Sequence, residues 1–190
     1  MVRASIIEGG IPMVITADPS AMSLEAFLDN PPDRAEWIDN QIVTKSEMTA
    51  KTGRIQAKLA RYWGNYKDSS GQGGEVYTET ACRTVGRVRC PDVAYLPADL
   101  VTQLGDFKVL PHSFPLIAEV ISPTDVAEEV FTKVREYLDV NGQEIWLIFP
   151  ESRWLMIITV DSQRLLGVHE TAATQIVLPG FSVSVGELIA

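Results

Sequence analysis

The chain has 190 residues, of which 46% are hydrophobic and 22% are charged, and its formal net charge is −9. This composition excludes a disordered chain and is typical of a soluble globular protein, for which one domain is the default at this length. The acidic balance gives no support to nucleic-acid binding through overall charge.

Cysteine content and hydropathy bear on the compartment. Two cysteines, Cys82 and Cys90, exclude a disulfide framework or a zinc-ligand set, and they are interpreted as small buried hydrophobes in a reducing cytoplasm. Glu8, Gly9 and Gly10 interrupt the first apolar stretch, which predicts no signal peptide. No apolar run approaches the roughly 20 residues of a membrane helix. We therefore expect a cytoplasmic protein without a membrane segment.

Hydrophobic periodicity and turn residues predict the elements in chain order. They are an irregular or strand-like lead-in over 1–20, a short helix 24–28 capped by Ser23, a hairpin 36–43, a helix over about 48–67, strands 75–83 and 87–96, a loop 97–113, a strand 114–122, a helix 126–140, strands 144–149 and 154–160, and accessory strands 164–169 and 175–178. From residue 48 onward the order is helix, strand, strand, strand, helix, strand, which predicts an α/β core with a mixed sheet. We expect one domain over 1–190, with an N-terminal extension (1–33), a core (about 34–160) and accessory strands (161–190).

Two carboxylates lie in apolar strands of this predicted core. Asp92 follows Pro91 at the start of one strand, and Glu119 lies inside the next. A carboxylate in such a run is costly to bury unless it is paired or binds a cation. The two strands therefore predict a site for a hard metal ion.

Basic residues form a stripe along the helix over about 48–67. Lys51, Arg54, Lys58 and Arg61 recur at helical spacing, and residues 44–67 contain six Lys or Arg and one acidic residue. One interpretation is a solvated helix face, and the other is a surface that follows nucleic-acid phosphates. A second basic cluster, Arg83, Arg87 and Arg89, surrounds the turn before the Asp92 strand.

The helix over 126–140 carries one lysine at the margin of its apolar face. Asp125 is the predicted N-cap of this helix. Glu129 and Lys133 have the favourable i,i+4 orientation, so one interpretation is a surface ion pair with a snorkelling lysine stem.

With these residues in order, the chain resembles the Uma2 family of restriction-type endonucleases, within the PD-(D/E)xK nuclease superfamily. The resemblance covers about residues 34–190, and Glu36 matches the early acidic strand of the family. The other matching segments are Arg89-Cys90-Pro91-Asp92-Val93-Ala94, Ala118-Glu119-Val120-Ile121-Ser122-Pro123, Lys133 with Tyr137, Gly142, Glu144-Ile145-Trp146-Leu147, and Leu178-Pro179-Gly180-Phe181.

The resemblance implies a restriction-endonuclease-like fold, a metal-dependent DNA endonuclease activity and a homodimer. Asp92, Glu119 and the carbonyl of Val120 are then the ligands of Mg²⁺ or Mn²⁺. The superfamily usually places its lysine two residues after the glutamate, where this chain has Ile121; the Uma2 pattern moves it to the next helix, which makes Lys133 catalytic.

The resemblance also implies further residue roles. Supporting acidic residues are Glu36 and Glu129, the latter in place of an Asp that is common in the family. The expected substrate is double-stranded DNA. The two basic segments described above, and not the resemblance, predict the contacts to it, which are Lys51, Arg54, Lys58, Arg61 and Arg89.

The chain departs from the family pattern at two places. No histidine lies near the start of the first core helix, and Phe149 replaces an acidic residue after the fourth strand. A catalytically silent nuclease-fold protein that binds DNA or assembles therefore remains open. An enzyme acting on RNA or a nucleotide also remains open, because no residue of the sequence indicates recognition of a base or a 2′-OH.

Overall fold

The computed structural model describes residues 21–45 and 48–190, so the lead-in predicted over 1–20 lies outside the described residues. The helices are α1 (Leu24–Asp29), α2 (Ala50–Ser69), α3 (Ala98–Leu104), α4 (Ala127–Leu138) and α5 (Val185–Ile189). The strands are β1 (Ala35–Ile38), β2 (Gln41–Thr44), β3 (Glu75–Thr78), β4 (Cys82–Thr84), β5 (Arg87–Arg89), β6 (Val93–Leu96), β7 (Leu116–Val120), β8 (Glu144–Phe149), β9 (Trp154–Ile158), β10 (Gln163–Gly167), β11 (Thr171–Ala173) and β12 (Ser182–Ser184). The predicted mixed α/β fold is confirmed.

A six-stranded mixed sheet forms the centre, in the order β10-β9-β8-β7-β6-β3. β7 and β8 are parallel, whereas β6 and β7 are antiparallel. Parallel neighbours need a long crossover connection, and here α4 lies within it. This connection places α4 directly after β7.

Helices cover both faces of the large sheet. Ile55, Leu59 and Trp63 recur at helical spacing on α2 and are buried against one face. Val134 and Tyr137 of α4 are buried in the cluster on the other face. Phe131 of α4 lies outside this buried face and is 40% exposed.

A second, four-stranded sheet has the order β2-β1-β5-β4. Phe27 of α1 packs beneath it with Trp37 and Val88. The predicted hairpin turns at Asp39 and Asn40, whose φ angles of 51° and 65° are tolerated by these two residue types. The small sheet thereby sets β1 and β2 beside the large one.

The prediction of two long strands, 75–83 and 87–96, is wrong because the chain changes sheet within each of them. β3 and β6 pair in the large sheet, whereas β4 and β5 pair in the small one. Glu79, with a φ of 49°, lies in the first break, and Pro91, which lacks an N–H donor, lies in the second.

Three local predictions are also corrected. The segment 97–113, predicted as a loop, contains α3. The strand predicted over 175–178 does not form because the N–H groups of Gln175 and Ile176 donate to the buried carboxylate of Glu144 instead. The N-cap of α4 is Val126, since Asp125 accepts from the backbone N–H of Ser122.

The interpretation of both cysteines as small buried residues is confirmed. Cys82 and Cys90 are buried free thiols. No helix in the described part of the chain has the length and apolar character needed to cross a membrane.

Candidate active site

A cavity of about 370 Å³ opens between the β1–β2 hairpin and α4. Asp92, Glu119, Val120 and Lys133 line it, together with Glu36. The small sheet, the large sheet and α4 each contribute side chains, so the cavity lies where the three meet.

Asp92 and Glu119 lie side by side on neighbouring strands. The register of β6 and β7 pairs Val93 with Ala118, so Asp92 and Glu119 are the next residues outward from this pair. Their exposed fractions are 4% and 6%. The backbone N–H of Val120 donates to Asp92 Oδ2 at 2.7 Å, which ties the two strands together at the site.

One oxygen of Glu119 receives two contacts from α4. Lys133 Nζ lies 2.9 Å from Glu119 Oε1, and the Tyr137 hydroxyl donates to the same oxygen at 2.8 Å. The i,i+4 spacing brings both side chains to one face of the helix. Burial raises the pKa of Glu119 despite the nearby Lys133.

Lys133 contacts two buried carboxylates and not the predicted partner on its own helix. Its ion pairs are with Glu36 at 2.8 Å and Glu119 at 2.9 Å. Burial lowers the pKa of Lys133, but the attraction of Glu119 and Glu36 outweighs burial and raises it. Glu129 is exposed on the cavity lining, so the interpretation of Glu129 and Lys133 as a surface ion pair is wrong.

Glu36 reaches the site from β1 of the small sheet. Its Oε1 accepts from the backbone N–H of Cys90 at 3.2 Å, and its Oε2 lies 2.8 Å from a terminal nitrogen of Arg89. Burial alone would raise the pKa of Glu36, but Lys133 and Arg89 lower it to about 2. Glu36 and Glu119 therefore hold the ammonium of Lys133 between the small sheet and the large one.

The structure corrects the prediction that Arg89 contacts DNA. Its exposed fraction is 7%, and its Nε and second terminal nitrogen bind the carboxylate of Glu136 at 2.7 and 2.9 Å. Arg87 binds the same carboxylate at 2.6 Å. Because α4 covers this side of β5, the guanidinium of Arg89 orients Glu36 and is withdrawn from solvent.

Lys45 is a site residue that the sequence analysis missed. Its ammonium contacts Asp92 Oδ1, Glu79 Oε2 at 2.9 Å and the carbonyl oxygen of Cys90 at 3.0 Å. Burial lowers the pKa of Lys45, but Glu119 and Asp92 outweigh it and raise the pKa. Lys45 and Glu79 carried no sequence signal, since their contact crosses from one sheet to the other.

The sequence analysis also missed the role of Glu136, although its spacing from Lys133 indicated that the two residues lie on the same side of α4. It follows Lys133 by three residues on α4 and so lies on the same side of that helix.

The basic stripe on α2 is partly engaged in contacts within the protein. Lys51 binds Glu151 and the carbonyl oxygen of Pro150, each at 3.0 Å. Lys58 donates to the carbonyl oxygens of Glu187 and Ala190. Arg54 and Arg61 are exposed. Two of the four predicted phosphate contacts therefore face solvent.

The donor set of the cavity fits a hard divalent cation. Asp92 and Glu119 offer two adjacent carboxylates, and carboxylate and carbonyl oxygens are the ligands that Mg²⁺ prefers. Lysine ammonium groups lie on both carboxylates, so the cluster already binds positive charge. Within residues 21–45 and 48–190, no group of three or more His, Cys, Asp or Glu side chains is arranged to hold a metal ion.

Comparison with known proteins gives a family and a fold. The model of the Uma2 family, described as "Putative restriction endonuclease", matches residues 21–186. A solved structure described as "a putative nuclease belonging to DUF820 from Anabaena variabilis ATCC 29413" matches with a TM-score of 0.77 and 16% identity, covering 88% of this chain and 97% of that one. At this identity the structural match establishes the fold alone. No curated protein matches the sequence.

Proposed function

The chain belongs to the Uma2 family, and on this premise we propose that it is a metal-dependent endonuclease of the PD-(D/E)xK type that hydrolyses phosphodiester bonds in double-stranded DNA. The observation that carries the proposal is the meeting of Asp92, Glu119 and Lys133 in one cavity. An acidic pair beside a buried ammonium is the residue set that this hydrolysis needs.

Each of these side chains has a part in the proposed reaction. Asp92, Glu119 and the Val120 carbonyl would hold Mg²⁺ or Mn²⁺, which when bound neutralises phosphate charge and makes a water nucleophilic. Lys133 orients the attacking water and stabilises the charge that develops on the phosphate oxygens. Glu36 fixes Lys133 through their 2.8 Å contact. Glu129 is exposed and lines the cavity, where it would add negative charge beside the proposed metal ligands.

DNA would approach along α2 as part of the same proposal. Thr49 and Thr52 at the start of α2 line the cavity, so this helix leads from the cavity toward the exposed Arg54 and Arg61. Local positive charge is needed there because the net charge of −9 repels a polyanion at long range. Two copies of the chain, each cutting one strand, would complete a double-strand break.

Plasmid cleavage tests the proposal. The purified chain should nick supercoiled plasmid with Mg²⁺ or Mn²⁺ and should not do so with EDTA. Asp92→Asn and Glu119→Gln should each abolish nicking. The matched control is Asp99→Asn, which changes an exposed carboxylate on α3 and should leave nicking unchanged. Equal nicking by wild type and Asp92→Asn would refute the assignment.

A catalytically silent DNA-binding or assembly module is the second candidate. The observation that favours it is that Lys45 and Lys133 already neutralise Asp92 and Glu119. This candidate predicts that DNA is retained in a gel-shift assay without cleavage at any Mg²⁺ or Mn²⁺ concentration. Light scattering of the same sample tests the dimer, since two copies give twice the mass of the chain.

A further inference from the structure

The cavity has a charged interior and an apolar mouth. Asp92 and Glu119 are 4% and 6% exposed. Three apolar residues that line the same cavity are far more exposed: Val43 at 43%, Met48 at 38% and Val126 at 55%. We call these three residues the apolar wall. Apolar side chains at the entrance to a buried charged cluster suit a ligand with one apolar part and one charged part.

Val126 stands at a position where α4 favours a polar residue. It is the N-cap of this helix, and its side chain makes no capping hydrogen bond. Ser, Thr, Asn and Asp are preferred at N-caps, and valine is among the least favourable residues there. Sequences break local preferences mainly at functional sites. The exposed Val126 is therefore better explained by contact with a ligand than by the stability of α4.

Met48 occupies space that a glycine of α2 leaves open. Gly53 lies inside the helix, where glycine is less favourable than alanine. A Cβ atom at Gly53 would lie 2.7 Å from Met48 Sδ, which is too close for atoms that are not bonded. The missing side chain thus makes room for the thioether of Met48. A second local preference is broken in favour of the apolar wall.

The dimensions of the cavity suit one nucleotide. Sites that enclose a whole small ligand have volumes of about 300–1,000 Å³, and this cavity has about 370 Å³. A phosphate that reaches the buried Asp92 and Glu119 must enter the cavity, and the sugar and base attached to it follow toward the mouth. A base that stays in the duplex stack cannot follow, so its nucleotide must leave the stack.

We propose that the cavity binds one nucleotide turned out of the base stack of a DNA duplex, with its phosphate at the proposed metal ligands and its base against the apolar wall. This inference rests on the proposed function, because it names the form of DNA that the same site accepts. Enzymes that extrude a base hold it between aromatic or apolar side chains. Extrusion costs least for a mismatched base, so a mismatch favours binding.

Fluorescence anisotropy of labelled duplexes tests the inference. The full chain is titrated in Ca²⁺, an ion that carboxylates also bind, and a gel of each sample confirms that the strands are intact. Wild type should bind a duplex with one central mismatch about tenfold more tightly than the matched duplex. If 2-aminopurine, an adenine analogue that is bright when unstacked, replaces the mismatched base, its fluorescence should rise on binding.

Two variants alter the apolar wall without removing a contact that the fold needs. Val126→Ser supplies a preferred N-cap residue. Gly53→Ala favours the helix and displaces Met48. Each should reduce the preference for the mismatch by about fourfold, the effect of one lost methylene contact. The Tm of each should equal or exceed that of wild type, and if one variant melts lower, the other decides.

Each variant has a matched control elsewhere in the chain. Val160→Ser changes a valine that is 72% exposed and does not line the cavity. Gly64→Ala changes another glycine of α2, where an added Cβ atom meets nothing within 4 Å. Both controls should keep the full preference for the mismatch.

The outcomes separate this inference from the proposed function. If wild type nicks plasmid with Mg²⁺ but binds matched and mismatched duplexes equally, the inference is refuted and the endonuclease stands. A preference that persists in Val126→Ser and Gly53→Ala also refutes the inference. If both variants lose a preference that wild type has, but wild type nicks no plasmid, nucleotide binding stands and the endonuclease is refuted. Absence of both binding and nicking refutes both.

Discussion

Glu36→Gln is expected to destabilise the protein strongly, although it changes one buried atom. Glu36 is 5% exposed and is bound by Lys133, Arg89 and the backbone N–H of Cys90. Its pKa is lowered from 4.5 to about 2. A shift of this size corresponds to about 3 kcal/mol at neutral pH. The substituted side chain would keep the shape of the original but lose this contribution to the free energy of unfolding.

The pH dependence of this loss has a definite sign. The folded-state pKa of Glu36 lies below its ordinary value of 4.5, so its contribution is fully present above that value. The contribution is lost as pH falls from about 4.5 toward 2. By pH 3 roughly 2 kcal/mol should be gone. The difference in stability between wild type and variant should therefore shrink on acidification.

Urea unfolding at several pH values between 3 and 7 measures both effects. Glu75→Gln is the control, because Glu75 is an exposed carboxylate 3.6 Å from Lys67, and such pairs contribute about 1 kcal/mol or less. A loss below about 1 kcal/mol for Glu36→Gln at pH 7, or a loss that stays constant with pH, would refute the reasoning.

Three further predictions concern the cavity and α2. Lys133→Met should reduce plasmid nicking at least about 100-fold, because the attacking water loses its orienting ammonium. The same change should lower the free energy of unfolding by about 3–5 kcal/mol, because two carboxylates lose their buried partner. Nicking at the wild-type rate would leave Lys133 a purely structural role. Tyr137→Phe removes the hydroxyl that donates to Glu119 and should cost about 1–1.5 kcal/mol in urea unfolding, whereas an unchanged midpoint would mean that the hydrogen bond adds nothing. Arg54→Glu with Arg61→Glu should flatten the slope of log K for DNA against log salt by roughly two, at about 0.9 per phosphate contact. Arg83→Glu, an exposed arginine on β4, is the control for that pair, and an unchanged slope in the double variant would make the stripe a solvated helix face.

The pairing of the central carboxylates was accessible from sequence. Asp92 and Glu119 lie in consecutive apolar strands, and consecutive strands are usually neighbours in a sheet. Lys133 and Tyr137 are four residues apart on a helix, which brings both to one face. These arguments need local periodicity and chain order alone.

The positions of Glu79 and Arg89 at the site depend on where the chain passes from one sheet to the other. Glu79-Thr80-Ala81 contains neither Gly nor Pro, so nothing in the sequence marked the break that carries Glu79 toward Lys45. The burial of Arg89 was also not predictable from the sequence. The alternation of side chains along β5 places Arg89 with Arg87 on the side away from Val88, and the sequence predicts that this side is exposed to solvent. The structure covers that side with α4 and Glu136.

Hydrogen bonds from backbone N–H groups to a distant side chain explain why the strand predicted over 175–178 does not form. Ile176-Val177-Leu178 is an apolar run of the kind that favours a strand. The fully buried carboxylate of Glu144, some 30 residues earlier in the chain, accepts the N–H groups that a neighbouring strand would otherwise bind. A partner so distant in sequence leaves no local pattern.

Hydrogen exchange at two backbone amides reports on the buried carboxylates of the cavity. The N–H of Cys90 is bound by Glu36, and the N–H of Val120 is bound by Asp92. Deuterium replaces such a hydrogen when its bond breaks and water reaches it, so these amides exchange through local opening of the cavity or through global unfolding. Exchange at Cys90 and Val120 that is faster than at the centre of β8 would give the cavity its own opening free energy.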